Sequence, residues 1–178
     1  VVVPCLSDNY AFLVHNSDTG DTALVDAPEA GPIKDALAAR GVVFDQAYAT
    51  APMTLPSHAS IFTGRYPPEH GIHENGRYLS DDQPLLAALM KKRGYRTAAF
   101  ISGYPLSRRF GVAHGFDHFD DDLPGSGVER DAAATTDRAL AWIERAASGP
   151  VFIWVHYFDP HEPYAPPEPF ASQYPDDP

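Results

Sequence analysis

The sequence predicts an α/β fold built on a parallel sheet. Two observations carry this. From Ser80 onward, amphipathic and extended stretches alternate as helix, strand, helix, strand. Val151 to Phe158 (VFIWVHYF) is a near-continuous apolar run, the pattern of a strand buried on both faces of a parallel sheet. The 178 residues amount to about one domain at roughly 150 residues per domain. A hydrophobic content of 44% with 21% charged residues excludes wholesale disorder.

At the N-terminal end, Tyr10 to His15 and Thr22 to Asp26 read as two strands of a hairpin, with Asn16 to Asp21 as its turn. Pro32 stands at a first helical position, Ile33, Ala36 and Leu37 come after it at helical spacing, and Arg40-Gly41 ends the helix. Val42 to Ala49 reads as a short strand, and Leu55 to Thr63 as a short helix closed by Gly64. Ser80 and Gln83 form a capping-box pair ahead of an apolar face of Leu85, Leu86, Leu89 and Met90. Arg96 to Ser102 is a strand. Ser126 and Glu129 form a second capping box, opening a helix to about Ala147. Seven prolines between Pro160 and Pro178 make the tail an extended loop, cut off mid-course.

Charge and cysteine content narrow the function. Thirteen basic against 24 acidic residues give a net charge of −11 with no basic run, so no nucleic-acid partner is expected. Cys5 is the single cysteine, which excludes an intrachain disulfide and a CxxC zinc site. No run of 18 apolar residues is present, so no membrane-spanning helix is expected. The chain starts at Val1 without a signal-peptide pattern, and the compartment, cytoplasmic or periplasmic, stays open, as does the oligomeric state.

Two stretches carry candidate chemistry. Thr54 stands before a Leu-Pro turn and a short helix. A hydroxyl there faces unpaired N–H groups and the positive end of the helix dipole, which together attract a tetrahedral anion. His58, one turn on, reaches the same anion or the hydroxyl. The alternative is that Thr54 is only the helix N-cap, with Ser57 an imperfect capping-box partner. At the end of the apolar strand, His156, Asp159 and His161 place three polar groups where ligands bind in open α/β sheets. They serve as acid, orienting carboxylate and anion contact, or are ordinary loop residues. His15, His70, His73, His114 and His118 read as solvated loop histidines. Asp117 and Asp120 to Asp122 read as a calcium site or, more simply, as a solvated acidic surface.

The stretch Thr54-Leu55-Pro56-Ser57-His58 with Thr63-Gly64 resembles the sulfatase motif of nucleophile, any residue, Pro, Ser, Arg, then a helix and Thr-Gly. Arg65 to Gly71 is similar to that family's "YP..HG", Gly94 to Ala98 to its "GY.TA", and Asp159 to Tyr164 to its "DPH.PY". Residues 41–178 thus resemble the N-terminal half of a sulfatase-like hydrolase of the alkaline phosphatase superfamily. The resemblance implies a partial sulfatase-type sheet with flanking helices and hydrolysis of a small sulfate or phosphate ester. It implies Thr54 as nucleophile and metal ligand, and His58 in place of the supporting Arg. His161 falls at the leaving group or the anion, and Ser57, His156 and Asp159 are candidate substrate contacts. The implied cofactor is a divalent metal: calcium, or zinc or manganese if the chain is phosphodiesterase-like. The departures are specific. Threonine cannot become formylglycine, Ser102-Gly103-Tyr104-Pro105 replaces the family's GKWH, and neither of the family's metal-binding Asp pairs is visible. The chain alone is therefore expected to be an inactive, truncated half.

The first forty residues resemble a different family. Pro4-Cys5-Leu6-Ser7-Asp8-Asn9-Tyr10 with Thr22 to Asp26 after it looks like the start of glyoxalase II (hydroxyacylglutathione hydrolase), a thioesterase of the metallo-β-lactamase fold. Its HxHxDH zinc motif is absent beyond them. Residues 1–40 are read as the glyoxalase II-like segment and 41–178 as the sulfatase-like one, a chimera joined near Asp35 to Gly41. The alternatives to an ester hydrolase are a thioesterase fragment and a non-catalytic anion-binding fragment.

Overall fold

A computed structural model describes residues 2–5, 9–15, 22–25, 48–125, 129–145, 149–159, 161–162 and 172. The chain divides into two compact units, Val1–Tyr48 and Ala49–Pro178. In the first, β1 (Val2–Cys5), β2 (Asn9–His15) and β3 (Thr22–Val25) form an antiparallel sheet in the order β1-β2-β3. The register Phe12↔Val25 to His15↔Thr22 is the expected hairpin. Strand β1, not expected from the sequence, adds to its other side. The turn 16–21, the helix beginning at Pro32 and most of the strand expected over 42–49 lie outside the described residues. Tyr48 and Ala49 are described and are not in a strand.

The second unit is the expected α/β arrangement. Helix α1 (Thr54–Thr63) and the single turn α2 (Pro67–His70) come first. After them come α3 (Leu86–Lys92), β4 (Arg96–Ile101), two 3-10 turns, β5 (His118–Asp120), α4 (Ala132–Arg145) and β6 (Val151–His156). The sheet is parallel, in the order β5-β4-β6. Strand β4 is the middle strand, and Thr97 to Ile101 are all buried. Its alternation divides the core. Ala99 and Ile101 pack with Leu55, Ala59 and Phe62 of α1, while Ala98 and Phe100 pack with Ala139 and Trp142 of α4. Strand β6 obeys the same rule, with Phe152 and Trp154 on the first face and Val151, Ile153 and Val155 on the second. All six of its residues are half-buried rather than buried, because it borders the described sheet on one side.

Helix ends depart from expectation at two places. Gln83 N–H bonds to the Ser80 carbonyl (3.1 Å), so that pair makes a turn, and α3 starts only at Leu86. Ser126 lies outside the described residues. Helix α4 begins at Ala132, and the Asp131 carboxylate accepts the Ala134 N–H (2.7 Å), the bond of an N-cap. The helix expected after Thr54 ends as expected: Gly64 has φ 68°, and its N–H returns to the Ser60 carbonyl (2.9 Å).

The acidic run is a set of paired charges. Arg130, 3% exposed, donates to Asp120 Oδ1 (2.7 Å), the Ile101 carbonyl (2.7 Å) and Thr135 Oγ1 (3.1 Å). Arg138 also pairs with Asp120 and Asp122, Arg108 with Asp121, and Lys91 with Asp117. Burial opposes ionisation of Asp120, but the hydrogen bonds from Arg130 and Arg138 outweigh it and hold its carboxyl below the usual range. With a cation on each carboxylate, the calcium reading fails. The Arg130 backbone N–H also bonds to the Ser102 carbonyl (2.9 Å), fixing the residue immediately after β4. Removing one partner of a buried pair costs about 3–5 kcal/mol, against about 1 kcal/mol or less for an exposed pair. Arg130→Met should therefore lower the urea-unfolding free energy severalfold more than Arg138→Ala.

Candidate active site

Parallel pairing with Ile101↔His156 in register ends β4 and β6 at one edge of the sheet. A cavity of about 440 Å³ opens there, lined by Thr54, Ser57 and His58 from α1, by His156, and by Phe158 and His161 beyond β6. Thr54 and His161 thus line one cavity, although 161 − 54 = 107 positions separate them. Five of the six candidate residues meet here. Asp159 does not line it. Its carboxylate accepts the Ala132 N–H (3.0 Å) at the start of α4, so it acts on that helix instead.

The start of α1 answers the cap question. The cap position falls on Met53, and Thr54 is the first helical residue. Asn75 Oδ1 accepts the Leu55 N–H (2.8 Å), Pro56 has no N–H, and the Ser57 N–H returns to the Met53 carbonyl (3.1 Å). The cradle of free helix amides expected around Thr54 is therefore mostly occupied. Asn75 was not a sequence candidate; the Asn75-Gly76 turn pair was its only local signal. His70, read as a solvated loop residue, is 4% exposed and holds this loop. Its Nδ1 accepts the Ile72 N–H (3.1 Å), so Nε2 carries the proton and donates to Ser60 Oγ (3.0 Å) on α1. Burial, reinforced by nearby His73, pushes its pKa down. His118 stays exposed as expected but lies in β5 rather than a loop, with its ring against Phe100 and Trp142.

The three cavity histidines share a proton arrangement. His58 Nδ1 lies 2.8 Å from the Thr54 carbonyl and His161 Nδ1 lies 2.8 Å from the Glu162 carbonyl. A carbonyl only accepts, so both rings carry a proton on Nδ1, and burial of His58 favours its neutral form with a lone pair on Nε2. Ser102, fully buried, gives its proton to the His156 carbonyl (2.6 Å) and offers its oxygen to His156 Nδ1 (3.4 Å). The His156 ring presses on Gly103, where an added Cβ would lie 3.1 Å from its Cε1. The His58 ring stands edge-on to that of His156 at 5.3 Å between centroids, and the His161 ring stacks on Phe158 at 4.5 Å. Burial lowers the pKa of His58, with its carbonyl bond opposing. Burial and then repulsion from His58 take His156 down to about 4.

Calcium takes six to eight oxygen ligands, mostly carboxylates and carbonyls. No Asp, Glu, Asn or Gln is among the described residues lining the cavity, and no group of three His, Cys, Asp or Glu side chains converges anywhere in the described residues. The residues present do not fit a calcium ion.

A helix packed on a parallel sheet, with a cavity at the strands' carboxyl ends, defines an α/β protein with its candidate site at the sheet edge. The chain belongs to the sulfatase family, whose model matches residues 19–177. It is 29% identical over 150 residues to an N-acetylglucosamine-6-O-sulfatase of Bacteroides thetaiotaomicron, covering 76% of this chain and 27% of that protein. A structure of a protein bound to its substrate D-glucosamine-2-N,6-O-disulfate superposes with a TM-score of 0.65 at 24% identity, over 80% of this chain and 32% of the other. The phosphonate monoester hydrolase of Agrobacterium radiobacter gives 0.63 at 21%, over 80% and 38%. A separate likeness, 62% over 50 residues, is to the hydroxyacylglutathione hydrolase of Ruegeria pomeroyi, covering 28% of this chain and 20% of that protein. The chain thus spans about a fifth to a quarter of the length of these curated relatives.

His156 should titrate by NMR with a midpoint of about 4, and His58→Gln should raise it. Its folded pKa lies below the unfolded value of about 6.5, so its contribution to stability is present above pH 6.5 and is lost as pH falls toward 4. His156→Gln should flatten that part of the unfolding-stability profile.

Proposed function

We propose that residues 41–178 carry the nucleophile-bearing part of an ester-hydrolase site for a small sulfate or phosphate ester. The observation that carries this reading is the convergence of Thr54 and His161 on one cavity at the sheet edge. In it, Thr54 Oγ1 attacks sulfur or phosphorus, forming the new O–S or O–P bond as the bond to the leaving oxygen breaks. The threonine proton passes to a neutral imidazole of the cavity, which gives it to the departing oxygen beside His161, and water then cleaves the threonyl ester to release sulfate or phosphate and restore Thr54. His58 is tied to the Thr54 carbonyl and holds the first helical turn in the place of the family's arginine. Ser57 and His156 contact the anion. Asp159, through the Ala132 N–H, steadies the approach of α4.

The chain by itself is proposed to be inactive, because the cavity's donors do not match the family's oxygen-ligated cation, which would assist the direct attack of Thr54. Residues 1–40 are proposed to be a glyoxalase II-type segment joined to the sulfatase-like part. Support comes from the separate antiparallel sheet and the short high-identity match to hydroxyacylglutathione hydrolases. The test is an assay of the purified chain with an aryl sulfate and an aryl phosphonate monoester, with calcium, zinc or manganese added. Turnover should stay well below about 1 s⁻¹, an ordinary enzyme rate. Turnover above that rate, lost in Thr54→Ala, would overturn the inactive reading while upholding Thr54.

A further inference from the structure

The cavity presents hydrogen-bond acceptors where the resemblance implies cations. We propose that it selects an oxyanion that still carries a proton, a hydrogen phosphate monoester, over a sulfate ester, and that Ser102 is the positioning residue that sets this preference at His156. The proposal rests on the reading of the cavity as an oxyanion site, but not on Thr54 as nucleophile.

Three observations carry it. The first is the charge of the lining. The resemblance implies an arginine where His58 stands and a GKWH stretch where Ser102-Gly103-Tyr104-Pro105 stands. Among the described lining residues there is no Lys, Arg, Asp or Glu; the titratable groups are His58, His156, His161 and Tyr157. The Tyr157 hydroxyl bonds Thr136 Oγ1 on α4 (2.9 Å), and His161 is held by the Glu162 carbonyl and by Phe158. The second is where the ring protons lie. The Thr54 carbonyl fixes a proton on His58 Nδ1. Ser102 Oγ has one proton and gives it to the His156 carbonyl (2.6 Å), so it turns a lone pair to His156 Nδ1 (3.4 Å), and that nitrogen carries the proton too. Burial keeps both rings neutral, and each Nε2 is left as an acceptor. The third is that the rings are held. His58 packs against Trp154, and His156 ends β6 against Gly103, where an added Cβ would lie 3.1 Å from its Cε1.

A sulfate monoester has terminal oxygens that only accept. Set against an imidazole lone pair, both groups stay unpaired. A phosphate monoester loses its second proton only near pH 6, with a pKa of about 6, and until then carries a P–OH. That hydroxyl donates to Nε2, while the other oxygens accept from the hydroxyls of Thr54 and Ser57 in the same lining. A site that demands a donor rejects the analogue that lacks one.

The test is calorimetric titration of the full chain with inorganic phosphate and inorganic sulfate at equal ionic strength, with nitrogen-15 NMR of the imidazoles. Near pH 6, phosphate should bind at least about tenfold more tightly than sulfate. The ring spectra of the unaltered chain should show Nδ1 protonated and Nε2 bare in His58 and His156. The preference should shrink as pH falls toward 4, where His156 gains a second proton and becomes a donor to sulfate. Ser102→Ala frees His156 to move its proton to Nε2, and should cut the preference by at least about threefold. His156→Gln, whose amide offers an N–H, should cut it as well. Thr54→Ala should keep the preference, so a failed nucleophile assignment leaves this result standing. Near-UV circular dichroism checks that each variant folds. Sulfate binding as tight as phosphate, or a proton on Nε2 of both rings in the unaltered chain, overturns the preference. An unchanged preference in folded Ser102→Ala overturns the role of Ser102, and binding of neither ion overturns the oxyanion reading together with the proposal.

Discussion

Parallel pairing of β4 with β6 determines where every group of the site lies. With Ile101 opposite His156, both strands stop at one edge, and the chain must turn there twice. After β4 the turn begins at Ser102, buried and held by the Arg130 N–H. After β6 it begins in the segment leading to His161. The Asp120–Arg130 pair beneath them ties β5, the end of β4 and the start of α4 into one unit. Helix α1 packs on the face of β4 that carries Ala99 and Ile101, which brings its first turn to the same edge. The cavity is therefore a product of sheet register, and the imidazoles inherit their positions from it.

Much of this was legible in residue order, and the exceptions have physical causes. The apolar run Val151 to Phe158 and the strand at Arg96 are dense enough in β-branched and aromatic side chains to be read locally, and Thr54 and His161 emerge from motif spacing. Strand β5 is only three residues long and too short to show a period. The Ser80–Gln83 pair has the composition of a capping box but closes as a turn, since Pro84 comes next and α3 starts only at Leu86. Helix α4 starts at Ala132 behind Asp131, whose carboxylate accepts the Ala134 N–H, a cap that the spacing of Ser126 and Glu129 does not point to. Asn75 and Arg130 reach partners 20 and 29 positions away, beyond any local window, and His70 bonds Ser60 on another helix.

The cavity also separates membership in a family from the chemistry of one member. The chain shares the sulfatase fold and motifs, yet its cavity presents imidazoles where the resemblance implies arginine and carboxylate groups. Neutral imidazoles with a free Nε2 are proton acceptors. They are weaker holders of a dianion than a guanidinium is.

The central claim is that Thr54 and His161 face one anion. The most direct measurement is a crystal structure of the chain soaked with orthovanadate, which takes the five-coordinate form of an in-line displacement. The account predicts vanadium centred on Thr54 Oγ1, with His161 in contact with an apical or equatorial oxygen. Vanadate bound elsewhere, or a cavity in which Thr54 Oγ1 and His161 turn away from each other, would contradict it.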